Sequence, residues 1–155
     1  MRDDSPKRPV RETAARMLGA RALSSAQLAA KLAERGYDET EISETVEWAV
    51  EYGFVDDAEY AGNLAEHYIN RGYGKRRISQ ELRARLGDSD AARLALERLP
   101  DMADTIDGFI AAKIRGELDA REKNRISQAL ARRGFSWDEI SAAWRRYGSD
   151  DSDDC

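Results

Sequence analysis

The sequence has one cysteine, Cys155 at its last position, and one histidine, His67, among 155 residues. One thiol excludes a disulfide framework and a Cys-based metal site within the chain. One imidazole cannot complete a zinc site of three or four ligands. No nucleophile elbow accompanies His67, which reads as a surface or boundary residue. Proline is scarce at three, and aromatics make up 8%. No window holds 18 uncharged apolar residues, so no membrane span is expected. The first ten residues, MRDDSPKRPV, lack the apolar core of a secretory signal. These absences predict a soluble cytoplasmic protein that is not an enzyme and takes no cofactor and no metal.

What the chain does have is charge and helix formers. Charged residues make up 35% of it, with Ala, Leu, Arg and Glu prominent. That composition favours helix and offers little for a sheet. Ser24/Gln27, Asp38/Glu41, Asp56/Glu59, Asp119/Glu122 and Ser136/Glu139 have the spacing of reciprocal N-caps. Asp56-Asp57 is therefore read as a cap with favourable charge at a helix N-terminus, not as an acid–base pair. Gly36, Gly53, Gly87, Gly134 and Gly148 stand where helices should stop. Helices are predicted over about 10–19, 25–35, 39–52, 57–70, 75–86, 89–99, 102–114, 118–133 and 137–147. Tyr37, Trp48, Tyr52, Phe54, Tyr60, Trp137 and Trp144 are expected to be mostly core.

An internal repeat organises these helices. RISQELRARLG from Arg77 and RISQALARRGF from Arg125 share their first four residues at an offset of 48. An earlier relative, SAQLAAKLAERGY from Ser25, places Leu28 and Leu32 where Ile78/Leu82 and Ile126/Leu130 stand. A period near 50 residues with three helices each predicts an all-α fold. Three tandem three-helix repeats would form an elongated, curved helical array. The modules are expected over 10–53, 54–99 and 100–148, with a flexible segment at 1–9 and a disordered acidic tail at 149–155.

Charge is segregated along the chain. Residues 34–66 carry eleven acids against one base, whereas 71–85 carry six bases and one acid, and 113–133 seven bases and three acids. The segment RGYGKRRISQEL, from Arg71, lacks the Ser/Thr and the preceding strand of a phosphate-binding P-loop. Tyr73 sits between two glycines beside cations, where no core stripe passes, and is read as an exposed contact residue. Arg71, Lys75, Arg76 and Arg77, with Arg83 and Arg85, form one outward-facing basic block. Arg121, Lys123, Arg125, Arg132 and Arg133 form a second. The plain account is a pair of solvated helix faces. The other is recognition of phosphate or carboxylate, on single- or double-stranded DNA or on an acidic protein surface.

The sequence resembles the RecX regulatory proteins, modulators of the RecA recombinase, from about Val10 to Tyr147. The resemblance is carried by SSAQLAAKLAERGYDETEISETVEWAVEYGFVDDAEYA, then INRGYGKRRISQEL, then ISQALARRGFSWDEI, in that order. Where the family usually has a proline before the Arg-Arg of the loop, this chain has Lys75. The resemblance implies a monomeric protein without cofactor that binds RecA–single-stranded DNA filaments and limits recombinase, ATPase and co-protease activity. The basic blocks would then touch the filament, its DNA or both, and the acidic first module would meet basic patches between RecA subunits. The alternative is a free-standing helical-repeat protein contacting the DNA phosphate backbone.

Overall fold

The computed structural model describes the backbone of residues 8–152, with side chains through Gly148. Among the described residues there are nine helices and no strand. They are α1 Val10–Ala20, α2 Ser25–Glu34, α3 Glu39–Glu51, α4 Asp57–Asn70, α5 Lys75–Leu86, α6 Asp90–Glu97, α7 Ala103–Lys113, α8 Ala120–Arg132 and α9 Trp137–Ser152. None is long and apolar enough to cross a membrane.

The caps explain where the helices begin. Ser24 and Gln27 close a reciprocal box on α2, each hydrogen bond being 3.1 Å. Asp38/Glu41 and Ser136/Glu139 do the same for α3 and α9. Asp56 and Asp119 accept from the N–H groups of Glu59 and Glu122. Each such cap contributes about 1 kcal/mol. Asp57 serves another helix: its Oδ1 accepts the Ser25 N–H of α2 at 2.8 Å. The acidic pair thus satisfies two helix N-termini.

The expected helix stops hold at Gly36, Gly53, Gly87 and Gly134, all at positive φ. Gly148 differs, because α9 continues through it to Ser152. One glycine inside a helix costs only about 1 kcal/mol. The acidic tail expected to be disordered is therefore helical over 149–152; its last three residues, and residues 1–7, lie outside the described part.

The chain divides into two compact units. One comprises the chain up to Asn63 with Leu82–Arg93; the other comprises Leu64–Glu81 and the chain from Leu94 onward. In the first, α1, α2 and α3 pack on one another around Ala14, Leu23, Leu28, Leu32, Ala49 and Val55. In the second, α7, α8 and α9 pack around Ile106, Ile110, Ile126, Leu130, Phe135 and Ile140. The repeat is visible in burial: Leu28/Leu32, Ile78/Leu82 and Ile126/Leu130 are all inaccessible to solvent or nearly so.

The aromatic expectation needs correction. Tyr52, Phe54 and Trp137 are 65%, 57% and 52% exposed, so they are not core. Tyr52 is the C-cap of α3 and Phe54 follows the turn beyond it, where helical periodicity no longer governs direction. Trp144 is half-buried, and its Nε1 donates to Ser127 Oγ at 2.8 Å.

Candidate functional site

The loop between α4 and α5 is held by backbone before any side chain is considered. Tyr73 N–H donates back to Tyr68 O at 3.0 Å. Gly74 N–H then donates to Arg133 O at 2.8 Å, and Arg76 N–H to Gly134 O at 3.0 Å. The first turn of α5 thereby meets the last carbonyls of α8, opposite ends of two helix dipoles. Only glycine permits this approach. A Cβ on Gly74 would lie 2.6 Å from the Gly134 carbonyl, and one on Gly134 would lie 2.6 Å from Arg77 N. Gly134 also has φ +100°, in the left-handed region.

This joint recruits several of the cations. The Arg76 guanidinium donates to Ala131 O at 2.8 Å. Arg133 Nη1 donates to Arg71 O at 3.2 Å, and its guanidinium lies 5.7 Å from the Tyr73 ring and 5.0 Å from the Phe109 ring. Arg77 binds Glu81 at 3.1 Å and lies 5.2 Å from the Tyr73 ring. Tyr73 is half-buried and meets Tyr68 edge-on at 5.5 Å, so the exposed contact residue expected from the sequence is part of a packed cation–aromatic stack. Arg77 and Arg133 are half-buried as well, rather than pointing freely outward.

The remaining cations sort by what they touch. Arg83 and Arg85 belong to the first unit. There Arg83 pairs with Asp88 at 3.4 Å, and the Arg85 carbonyl accepts from Ser24 Oγ. Arg125 is bound by two nitrogens to Glu122, and Lys123 Nζ lies 5.4 Å above the Trp144 ring. Arg71, Lys75, Arg121 and Arg132 are exposed, and their side chains make no hydrogen bond or ion pair among the described residues.

Within the second unit a groove of about 400 Å³ gathers some of these groups. Its walls are Tyr73, Phe109, Lys113, Arg125, Arg132 and Arg133, over Ile126 and Ala129. Among the described residues none of those lining it is acidic. Phe109 and Lys113 were not singled out from the sequence; Lys113 Nζ sits 5.5 Å from the Phe109 ring. Lys75 and Arg121 are not among the lining residues. Four cations with two aromatic rings are an arrangement that could receive a phosphate or carboxylate attached to something flat or apolar. Among the described residues no cluster of three His, Cys, Asp or Glu side chains could hold a metal.

Glu122 tunes the charge at the rim. Its hydrogen bond from Arg125 holds its carboxyl below the usual carboxylate range, and Arg125 is correspondingly raised. A folded pKa below the unfolded one means that the pairing favours the fold above the ordinary carboxylate pKa. That contribution fades as pH falls through the folded value. Carboxyl-detected NMR titration of Arg125→Gln should return Glu122 toward the ordinary midpoint; an unchanged midpoint would mean that Arg125 is not the cause.

The first unit carries a different surface. Val50, Tyr52 and Phe54 are exposed beside Trp48, with ring centres 6.2 and 5.3 Å from the indole. They lie in the acidic stretch of the chain, next to Glu47 and Glu51. Such an apolar patch with an acidic surround suits a protein partner.

Helices in this order, with this repeat, define an all-α protein of tandem three-helix domains, with a groove in the second unit lined by four cations. Comparison with known proteins gives the family. Residues 11–48, 56–96 and 111–151 match family models described as the first, second and third three-helix domains of RecX, and the chain belongs to the RecX family. Proteins named "Regulatory protein RecX" include one from Halorhodospira halophila, 33% identical over 150 residues, covering 92% of this chain and 90% of that protein. One from Vibrio parahaemolyticus is 29% identical over 147 residues, covering 90% of this chain and 92% of that protein. The crystal structure of RecX from Lactobacillus salivarius superposes with a TM-score of 0.80 over 88% of this chain and 93% of that one, at 20% identity, which establishes the shared fold.

Proposed function

We propose that this chain is a monomeric cytoplasmic regulator that binds RecA filaments on single-stranded DNA and restrains their recombinase, ATPase and co-protease activities. The observation that carries the reading is the acid-free groove of the second unit, where Lys113 and Arg132 have no carboxylate of their own. A nucleoprotein filament presents phosphates and carboxylates together, which such a groove can engage. The exposed Val50, Tyr52 and Phe54, beside the half-buried Trp48, supply a separate surface for the protein component. The relatives' name, regulatory protein, supports a role in control rather than turnover.

The test is single-strand-dependent ATP hydrolysis by RecA from the same organism, with this chain added to preformed filaments. Substoichiometric addition is expected to suppress hydrolysis. No effect at excess would refute the reading. Tight binding to bare oligonucleotide with no effect on hydrolysis would instead favour a free-standing DNA-binding protein.

A further inference from the structure

The last seven residues of the chain, SDDSDDC from Ser149, carry four acids and no base. The groove of the second unit is lined by four cations and, among the described residues, by no acid. We infer that this acidic segment folds back onto the groove and competes there with the groove's anionic ligand. Segment and groove belong to the same compact unit. The tail is then a tethered occupant that a denser anion displaces.

The end of α9 is poorly made as a helix. Its last turn carries Asp150 and Asp151 and no base, so two acids stand at the negative end of the helix dipole. Just before that turn stands Gly148, which has low helix propensity and no atom within 4 Å of the place a Cβ would take. Asp153 and Asp154 follow directly and add like charge. Unwinding from Gly148 frees these acids from the dipole and from one another.

The turns before Gly148 bring this end to the two helices that wall the groove. Arg146 binds Asp107 of α7 through two nitrogens, at 2.8 and 3.1 Å. Phe109 and Lys113, further along α7, line the groove. Trp144 donates to Ser127 of α8 and lies under Lys123, on the helix that carries Arg125 and Arg132. From Asp107 to Lys113 is about 9 Å of helix. The segment from Ser149 to Cys155, when extended, spans about 23 Å, so its reach is ample. A segment tethered this closely meets the groove at an effective concentration on the order of millimolar. Weak, solvent-exposed ion pairs are then enough to hold it. Lys113 and Arg132, whose side chains make no hydrogen bond or ion pair among the described residues, are the cations it would engage.

Cys155 is the one cysteine, so a nitroxide attached to it reports on the end of the native chain without any substitution. In the labelled full chain at low salt, the amide resonances of Phe109, Lys113, Ala129 and Arg132 should broaden relative to the reduced label. Near 1 M salt, where charges are screened within about 3 Å, the broadening should fade. Asp150→Asn, Asp151→Asn, Asp153→Asn and Asp154→Asn, combined in one variant, should abolish it. Sharp groove amides at low salt would overturn the inference, as would broadening confined to Arg121 and Lys123 or broadening that survives the four substitutions. Broadening passed from labelled chains to isotope-enriched unlabelled ones would place the contact between molecules and overturn it too. The competition rests on the filament reading and is tested separately. A groove covered in about two thirds of the molecules has its apparent affinity reduced about threefold. The neutralised variant should therefore suppress RecA hydrolysis at about one third of the native concentration; an unchanged concentration would overturn the competition. The nitroxide readout needs no RecA, so groove broadening in a native chain that leaves hydrolysis untouched would refute the filament reading and leave the tail contact standing.

Discussion

Gly134→Ala is expected to destabilise the chain by about 3 kcal/mol, a large loss for one methyl group. Two separate penalties combine. At φ +100° a side chain is strained whatever surrounds it, and the added Cβ would stand 2.6 Å from Arg77 N and 2.8 Å from Arg77 Cβ. The obstructing atoms are backbone and a β-carbon, which cannot swing aside as a side-chain tip can. Gly74→Ala, blocked by the same joint from the other side but without positive φ, should lose about 1–3 kcal/mol. Gly116→Ala separates the penalties: its φ is +80° and nothing lies within 4 Å, so it should lose about 1 kcal/mol. Urea unfolding followed by circular dichroism measures all three through the midpoint. Equal losses at Gly134 and Gly116 would show that the close approach contributes nothing.

Reversing two charges in the second unit should remove suppression of RecA while leaving the fold intact. Lys113→Glu with Arg132→Glu is the informative pair. Both line the groove, and neither side chain makes a hydrogen bond or ion pair among the described residues. Their stability effect should stay within about 1 kcal/mol each, since each lies in the last turn of its helix and mainly loses a favourable dipole interaction. A charge-assisted contact contributes about 1.5–3 kcal/mol, so losing two should raise the concentration needed for half-suppression at least a hundredfold. Reversing Arg76 or Arg77 would be harder to interpret, because Arg76 binds Ala131 O and Arg77 binds Glu81. A folded double variant that suppresses hydrolysis as well as the native chain would remove the groove from the mechanism and leave the apolar patch of the first unit as the grip.

Much of this fold is legible in sequence because its determinants are local. The five caps need only a residue and its partner three positions on; the cap side chain accepts the N–H at all five, and the reciprocal bond forms at Ser24, Asp38 and Ser136. The Leu/Ile stripes need only a helix period, and the repeat shows that the pattern recurs. The joint at Gly74 is different. In sequence, Gly72-Tyr73-Gly74 looks like a flexible turn; its meaning depends on a backbone 60 residues away. Tyr73 looked exposed because no stripe reaches it, yet Arg77 and Arg133 bring it company from two helices. Phe109 and Lys113 passed unnoticed because one aromatic and one lysine on an apolar helix form no pattern until α8 packs beside them.

The junction between α5 and α8 also separates two tasks that share the same few residues. Its core is made from main-chain atoms and from the lack of side chains at Gly74 and Gly134. A main-chain joint is indifferent to the charge carried at its margins. Lys75 can therefore be exchanged for a neutral or acidic residue without loosening the helix beneath it, as can Arg132. The loop is in this sense a rigid mount with a replaceable face, whose binding preference can be retuned while its position stays fixed.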